Sequence, residues 1–93
     1  MRVTVRLFAL ARERAGRPDL LIDVPEPATV GRLRTALAAQ QPALAPLVPH
    51  LLFAVATEYA DDDAAIPDGV EVAAIPPVSG GGGSATAEPE SRR

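Results

Sequence analysis

The chain has 93 residues, 47% of them apolar but only 3% aromatic, with no Trp and no Cys. That length holds one small domain with a thin core of Val, Leu, Ile and Ala, and zero Cys removes disulfides, thiolate metal sites and thiol catalysis together, in keeping with a cytoplasmic protein. A net charge of −3 argues against a binder of nucleic-acid backbone, and Pro or charge breaks every apolar stretch before the ~20 residues of a membrane span, so neither a spanning helix nor a signal peptide is expected.

From Arg2 to Phe8 the sequence alternates, Val3, Val5 and Leu7 on one side and Arg2, Thr4, Arg6 and Phe8 on the other, the pattern of a half-buried strand. Phe8 is a large aromatic on the otherwise wet side. It is either half-covered by a neighbouring strand or part of a docking surface. Leu10 to Ala15 suits one or two helical turns stopping at Gly16, and Leu20 to Val24 offers a second alternating strand. Pro25-Glu26-Pro27 ends it, and Thr29 is a good N-cap for a helix over Val30 to Gln40, whose Val30, Leu33, Ala36 and Leu37 share one face while Arg34 falls elsewhere.

Pro42, Pro46 and Pro49 limit the next stretch to short turns with Leu44, Leu47 and Val48 tucked inward. Leu51 to Thr57 is a continuous apolar run, expected as one strand lying centrally in the sheet with Leu52 and Ala54 in the core. Asp61-Asp62-Asp63 lacks the alternating oxygens of a calcium loop and suits a solvated turn. Ile66-Pro67-Asp68-Gly69 is a turn signal, and Val70 to Ile75 alternates as the last strand. Two strands, a helix and further strands within about 75 residues predict an α+β chain, a mixed sheet with one main helix across one face, in the β-grasp (ubiquitin-like) arrangement. The expected body is residues 1–78. From Ser79 onward the sequence is Gly-rich without a bulky apolar residue, and residues 79–93 are expected to be a disordered tail.

Charge is unevenly spread. Residues 1 to 40 carry seven Arg against four acids, residues 41 to 81 no base and six acids; an acidic second half can steer a basic partner, though most such runs are solvated surface. All nine basic residues are Arg, so no side chain can serve as a lysine acceptor. His50, the one histidine, sits beside Pro49 with no ligand-like neighbour, which leaves no metal site and no catalytic triad to build.

The segment that carries chemistry is Ile75-Pro76-Pro77-Val78-Ser79-Gly80-Gly81. Two prolines stiffen the exit of the last strand and two glycines remove every Cβ, giving a stalk that ends in a thread narrow enough for a partner's tunnel. A plain linker is the alternative. The order of elements, VRLFALARERAG, TVGRLRTAL, IPDGVEV and PPVSGG together resemble the MoaD/ThiS family of ubiquitin-like sulfur carriers, its molybdopterin-synthase branch above all, over residues 1 to 81.

That resemblance implies a function. The carboxylate of Gly81 would be adenylated by an E1-like adenylyltransferase using ATP, converted to a thiocarboxylate, and used by the large subunit of molybdopterin synthase in molybdenum cofactor biosynthesis. Gly80 and Ser79 would enter the partner's tunnel, Pro76, Pro77 and Val78 would line its neck, and Phe8, Tyr59 and Ile75 would make the partner-facing apolar patch. The chain would then be a non-catalytic subunit and cosubstrate, without a bound cofactor. It departs from the family in three places: residues 82–93 follow Gly81, so a tail-processing protease is required; a family-typical Val-Asn pair reads Val55-Ala56; and an aromatic before the double proline reads Ile75. Other readings are a carrier for thiamine, cysteine or a secondary metabolite, a protein modifier, and a ubiquitin-like interaction domain that carries nothing.

Overall fold

The computed structural model describes residues 1–77. The chain begins with β1 (Arg2–Leu7), α1 (Ala9–Ala15) and β2 (Asp19–Asp23), continues through α2 (Val30–Gln40) and two single 3₁₀ turns (Pro42–Leu44 and Val48–His50), and ends with β3 (Leu52–Val55), β4 (Glu58–Ala60) and β5 (Val72–Ile75). The strands form one sheet in the order β2-β1-β5-β3-β4. β1 pairs antiparallel with β2 and parallel with β5, while β3 pairs antiparallel with both β4 and β5. This is the mixed α+β sheet that the order of elements predicts.

Alternation decides which face is dry. Val3, Val5 and Leu7 of β1, Leu20 and Ile22 of β2, Phe53 of β3 and Val72 and Ala74 of β5 are buried together with Val30, Leu33 and Leu37 of α2. α2 starts where its cap dictates: the Thr29 hydroxyl accepts a hydrogen bond from the Arg32 N–H at 3.2 Å. α1 contributes Ala11 and stops at Gly16, whose φ of +72° is the left-handed C-terminal conformation that glycine adopts without strain. The 3₁₀ turns tuck Leu44 and Val48 fully inside and leave Leu47 half-buried.

The segment after β4 is sewn to the start of α2. Val30 N–H donates to the Ala64 carbonyl, Gly31 N–H to the Asp62 carbonyl and Ile66 N–H to the Ala28 carbonyl. Gly31 allows this approach, because a Cβ there would meet the Asp62 carbonyl oxygen at 3.2 Å and its Cβ at 3.3 Å. Arg34 completes the seam. Its guanidinium donates to the Val48 carbonyl at 2.6 Å, the Leu51 carbonyl at 3.0 Å and Asp62 Oδ1 at 2.9 Å, and lies 4.9 Å from the Phe53 ring centroid. Asp62 is thus more than a member of a solvated turn.

Three expectations are corrected here. The run from Leu51 to Thr57 is not one strand: β3 ends at Val55, and Ala56 and Thr57, at φ +50° and +74°, reverse the chain into β4. Two successive positive φ values are the hairpin geometry that Asn-Gly usually supplies, and Ala-Thr gives no sign of it in sequence. Leu52 is 48% exposed, because Leu51 and Phe53 are the residues that face inward. Ala54 is buried as expected, although it lies outside the main cluster and lines a groove on the opposite sheet face. β3 is an interior strand, yet the centre of the sheet belongs to β5.

Ala56 occupies a left-handed position at a cost of about 1 kcal/mol that Asn largely avoids. Ala56→Asn is therefore expected to stabilise the fold by about 0.5–1 kcal/mol, read as a rise in the denaturation midpoint with unchanged m-value; no rise would show that the turn is not strained.

Candidate functional site

α2 and the 3₁₀ turns cover one face of the sheet and leave the other open. On that open face the register sets the neighbours: Arg6 lies opposite Ala73, Ala73 opposite Ala54 and Ala54 opposite Tyr59, so these four form one row across β1, β5, β3 and β4. Ile75 and Leu52 form the next row, and the parallel register that pairs Leu7 with Ala74 brings Phe8 to the level of Ile75.

Phe8 is held outside by the backbone. It is the N-cap of α1 in extended conformation, its carbonyl accepts from the Ala11 N–H at 3.1 Å, and Ala9 follows at φ +51°. That left-handed step, worth about 1 kcal/mol of strain in a non-glycine residue, turns the chain out of the strand before the aromatic can enter the core. Phe8 is 43% and Tyr59 68% exposed, and Ile75 is half-buried.

Beside Phe8 runs a groove of about 440 Å³, with Ala54 and Ala73 as its floor, Phe8 and Thr57 as walls, and Arg6 and Glu71 at its mouth. Arg6 and Glu71 are 3.5 Å apart and both exposed, an ion pair worth less than about 1 kcal/mol. A smaller hollow of about 210 Å³ brings Leu52 and Tyr59 together beside Asp61. The structure therefore sets Phe8, Ile75 and Tyr59 around one face and adds Leu52, which sequence reasoning assigned to the core. The missed signal was parity: with Ile75 outward, its cross-strand partner has to be outward too.

β5 ends at this patch. Pro76 is half-buried and Pro77 exposed, directly after Ile75. Val78, Ser79, Gly80 and Gly81, and with them the boundary at 78 and the tail 79–93, lie outside the described residues. A further hollow of about 480 Å³ lies on the helix side, between Pro25, the outer face of α2 and Asp62 and Asp63. It is across the sheet from the strand exit and shares no residue with the open-face groove.

Among the described residues no three His, Cys, Asp or Glu side chains stand close enough to share a metal ion, and no helix is long and apolar enough to cross a membrane. The described part of the site contains no nucleophile paired with a base. What it offers is an apolar surface beside an outgoing chain.

A family model described as the ThiS family matches residues 5–81. The chain is 37% identical over 79 residues to the molybdopterin synthase sulfur carrier subunit of Arabidopsis thaliana, covering 85% of this chain and 82% of that protein. It is 37% identical over 83 residues to the subunit of the same name from Chlamydomonas reinhardtii, covering 87% of this chain and 100% of that one. Among solved structures it is similar to small archaeal modifier protein 1 of Haloferax volcanii, with 32% identity and a TM-score of 0.73, over 83% of this chain and 98% of that chain.

The parity of β3 gives a direct test. Leu52→Ser is expected to cost less than about 1 kcal/mol, whereas Leu51→Ala, at a 2% exposed site, is expected to cost about 2–5 kcal/mol in urea unfolding. Equal losses would move Leu52 back into the core and break the patch.

Proposed function

The chain belongs to the ThiS family, and on that premise we propose that it is a sulfur carrier of the molybdopterin synthase small-subunit type, whose working group is the carboxylate of Gly81. The observation that carries the reading is spatial. The central strand of the sheet delivers the chain through Pro76 and Pro77 beside the one face that presents Phe8, Leu52, Tyr59 and Ile75, so a partner seated on that face receives the thread that follows. The family match ends at residue 81 and supports Gly81 as the end of the carrier proper.

The chemistry follows from the poor electrophilicity of a carboxylate. An E1-like adenylyltransferase would let a Gly81 carboxylate oxygen attack the α-phosphorus of ATP, releasing pyrophosphate and leaving an acyl adenylate. A sulfur nucleophile at the oxidation level of sulfide would then displace AMP and leave a thiocarboxylate. In the complex with the large subunit of molybdopterin synthase this sulfur would pass to the pterin precursor of the molybdenum cofactor. The carrier needs no cofactor of its own and no catalytic side chain. Its contribution would be to bind through the patch and to present Gly81 four residues beyond Pro77, after Val78, Ser79 and Gly80.

Residues 82–93 follow Gly81 in the sequence, so that Gly81 has an amide where adenylation needs a carboxylate. Cleavage after Gly81 must precede activation, and a protease is part of the proposed cycle. The likeness to an archaeal modifier supports a second use of the same activated glycine, transfer to an amine of another protein.

The decisive comparison is between the full chain and one ending at Gly81, each incubated with ATP and the cognate E1-like enzyme. Among the described residues no core residue lies beyond Ala74, so the shortened chain keeps the described body. Adenylate is expected only on the shortened chain, and added sulfide should raise its mass by the difference between sulfur and oxygen. Activity of a full chain shown by mass to be intact would remove the cleavage step, and inactivity of both would remove the carrier function.

For the patch, Phe8→Arg is expected to leave the fold intact. In adenylation of the shortened chain it should raise KM about tenfold or more with little change in kcat, as expected for loss of a buried aromatic anchor. An unchanged KM would exclude Phe8 from the docking surface.

A further inference from the structure

We propose that this chain is built to be inert towards its own activated terminus, so that an acyl group formed at Gly81 finds no lasting acceptor on the same molecule or on another copy. The inference rests on the reading of Gly81 as the activated residue and adds a property of the rest of the chain.

An acyl adenylate or thioester is consumed by amines and thiols. Attack of an amine lone pair on the Gly81 carbonyl carbon forms an amide and breaks the bond to AMP or to a thiolate, and the proton the amine loses passes to solvent or to the departing thiolate; a thiol would give a thioester by the same exchange. The sequence contains neither side chain: it has no Cys, and its nine basic residues are all Arg. A guanidinium keeps the positive charge needed for the pairs Arg2–Asp23, Arg6–Glu71 and Arg34–Asp62, yet stays protonated and offers no nucleophilic lone pair. Hydroxyl groups with no base beside them are poor nucleophiles towards such an acyl group, and an acyl imidazole at the exposed His50 would be cleaved by water.

One amine remains, that of Met1, and the fold removes it in two ways. It is engaged as a donor to the Val24 carbonyl at 2.9 Å, with Glu26 at 3.8 Å, and the Met1 side chain is only 12% exposed. It is also at the wrong end of the sheet. β1 and β5 run parallel in register, with Leu7 level with Ala74, so the chain leaves the sheet at the end opposite to Met1. The seven steps from Met1 to Phe8, level with Ile75, correspond to about 23 Å of strand. The six steps from Ile75 to Gly81 can span at most about 21 Å when fully extended. Even a terminus directed straight back along the sheet falls short. A second copy presents the same surface, without Lys or Cys and with its Met1 amine occupied, so transfer between copies meets the same barrier.

The test uses the chain ending at Gly81 prepared as a C-terminal thioester, an acyl donor of the same class that needs no activating enzyme, so its outcome is independent of whether adenylation is the native route. Added glycine ethyl ester, a small free amine, verifies that the thioester is reactive. At high protein concentration and mildly alkaline pH the wild-type chain is expected to give the hydrolysed acid alone. Arg6→Lys puts one amine on the open face opposite Ala73, within reach of the terminus, and keeps a charge beside Glu71. It is expected to give circular or amide-linked products by intact mass, at about tenfold or more over wild type, as effective molarity predicts. Wild type forming such products as fast as R6K would overturn the proposal. So would an R6K chain that reacts with added amine yet makes none, because lysine content would then not be what protects.

Discussion

Everything in this molecule depends on four residues of β5. Val72 to Ile75 pair on one side with β1 and on the other with β3, and without them the sheet would separate into a β1–β2 hairpin and a β3–β4 hairpin, neither of which is stable alone. The same strand contributes Val72 and Ala74 to the core and Ala73 and Ile75 to the open face. Its last residue is followed at once by Pro76, so the hydrogen bonds that hold the sheet together also fix where the chain leaves it. Stability and the position of the proposed thread are therefore one quantity: a change that loosens β5 would unfold the domain before it redirected the exit.

The fold was legible where local chemistry and long-range packing agree. β1 alternates over its whole length, and Thr29 with the apolar face of Val30, Leu33 and Leu37 specifies α2 to the residue. It was illegible where the backbone does something its side chains do not advertise. The Ala56-Thr57 turn takes a conformation for which Gly and Asn are the usual markers, and an uninterrupted apolar run conceals it. That omission carried Leu52 into the expected core, since a strand buried on both faces gives no reason to separate odd from even positions. Once the hairpin is placed, Ile75 and Leu52 are partners and the patch gains its fourth large side chain. Arg34 was missed for a different reason. A charged residue off the apolar face suggests solvent, and only the tertiary fold shows two carbonyls and Asp62 converging on its guanidinium.

The contrast between a basic first half and an acidic second half also takes on a structural meaning. Arg6 meets Glu71 across the β1–β5 pairing and Arg34 meets Asp62 across the seam between α2 and the segment after β4. Part of the acidic charge is thus spent inside the molecule. The exposed pair at the groove contributes little to stability, and its consequence lies in the surface it makes: a neutral, partly hydrogen-bonded border to an apolar groove, which a partner can cover at less desolvation cost than two unpaired charges would impose.

A small domain with a thin core can support this role because the body and the thread have separate tasks. The floor of the groove is Ala54 and Ala73, so the open face is low there and a partner's side chains can come close to the sheet backbone between the taller walls of Phe8 and Thr57. Seating the body in that way costs the rigid-body entropy of association once. In the proposed cycle the chain after Pro77 would then enter a partner's channel as an intramolecular step, at an effective concentration set by the short distance between patch and exit. Two prolines at the exit lower the conformational entropy left to lose, and glycines beyond them remove the steric bulk that would keep a channel wide. In the proposed arrangement the affinity would reside in Phe8, Leu52, Tyr59 and Ile75, which would take no part in the chemistry. On that proposal the reacting carboxylate would need no recognition surface of its own, because docking of the body would already bring it to the partner.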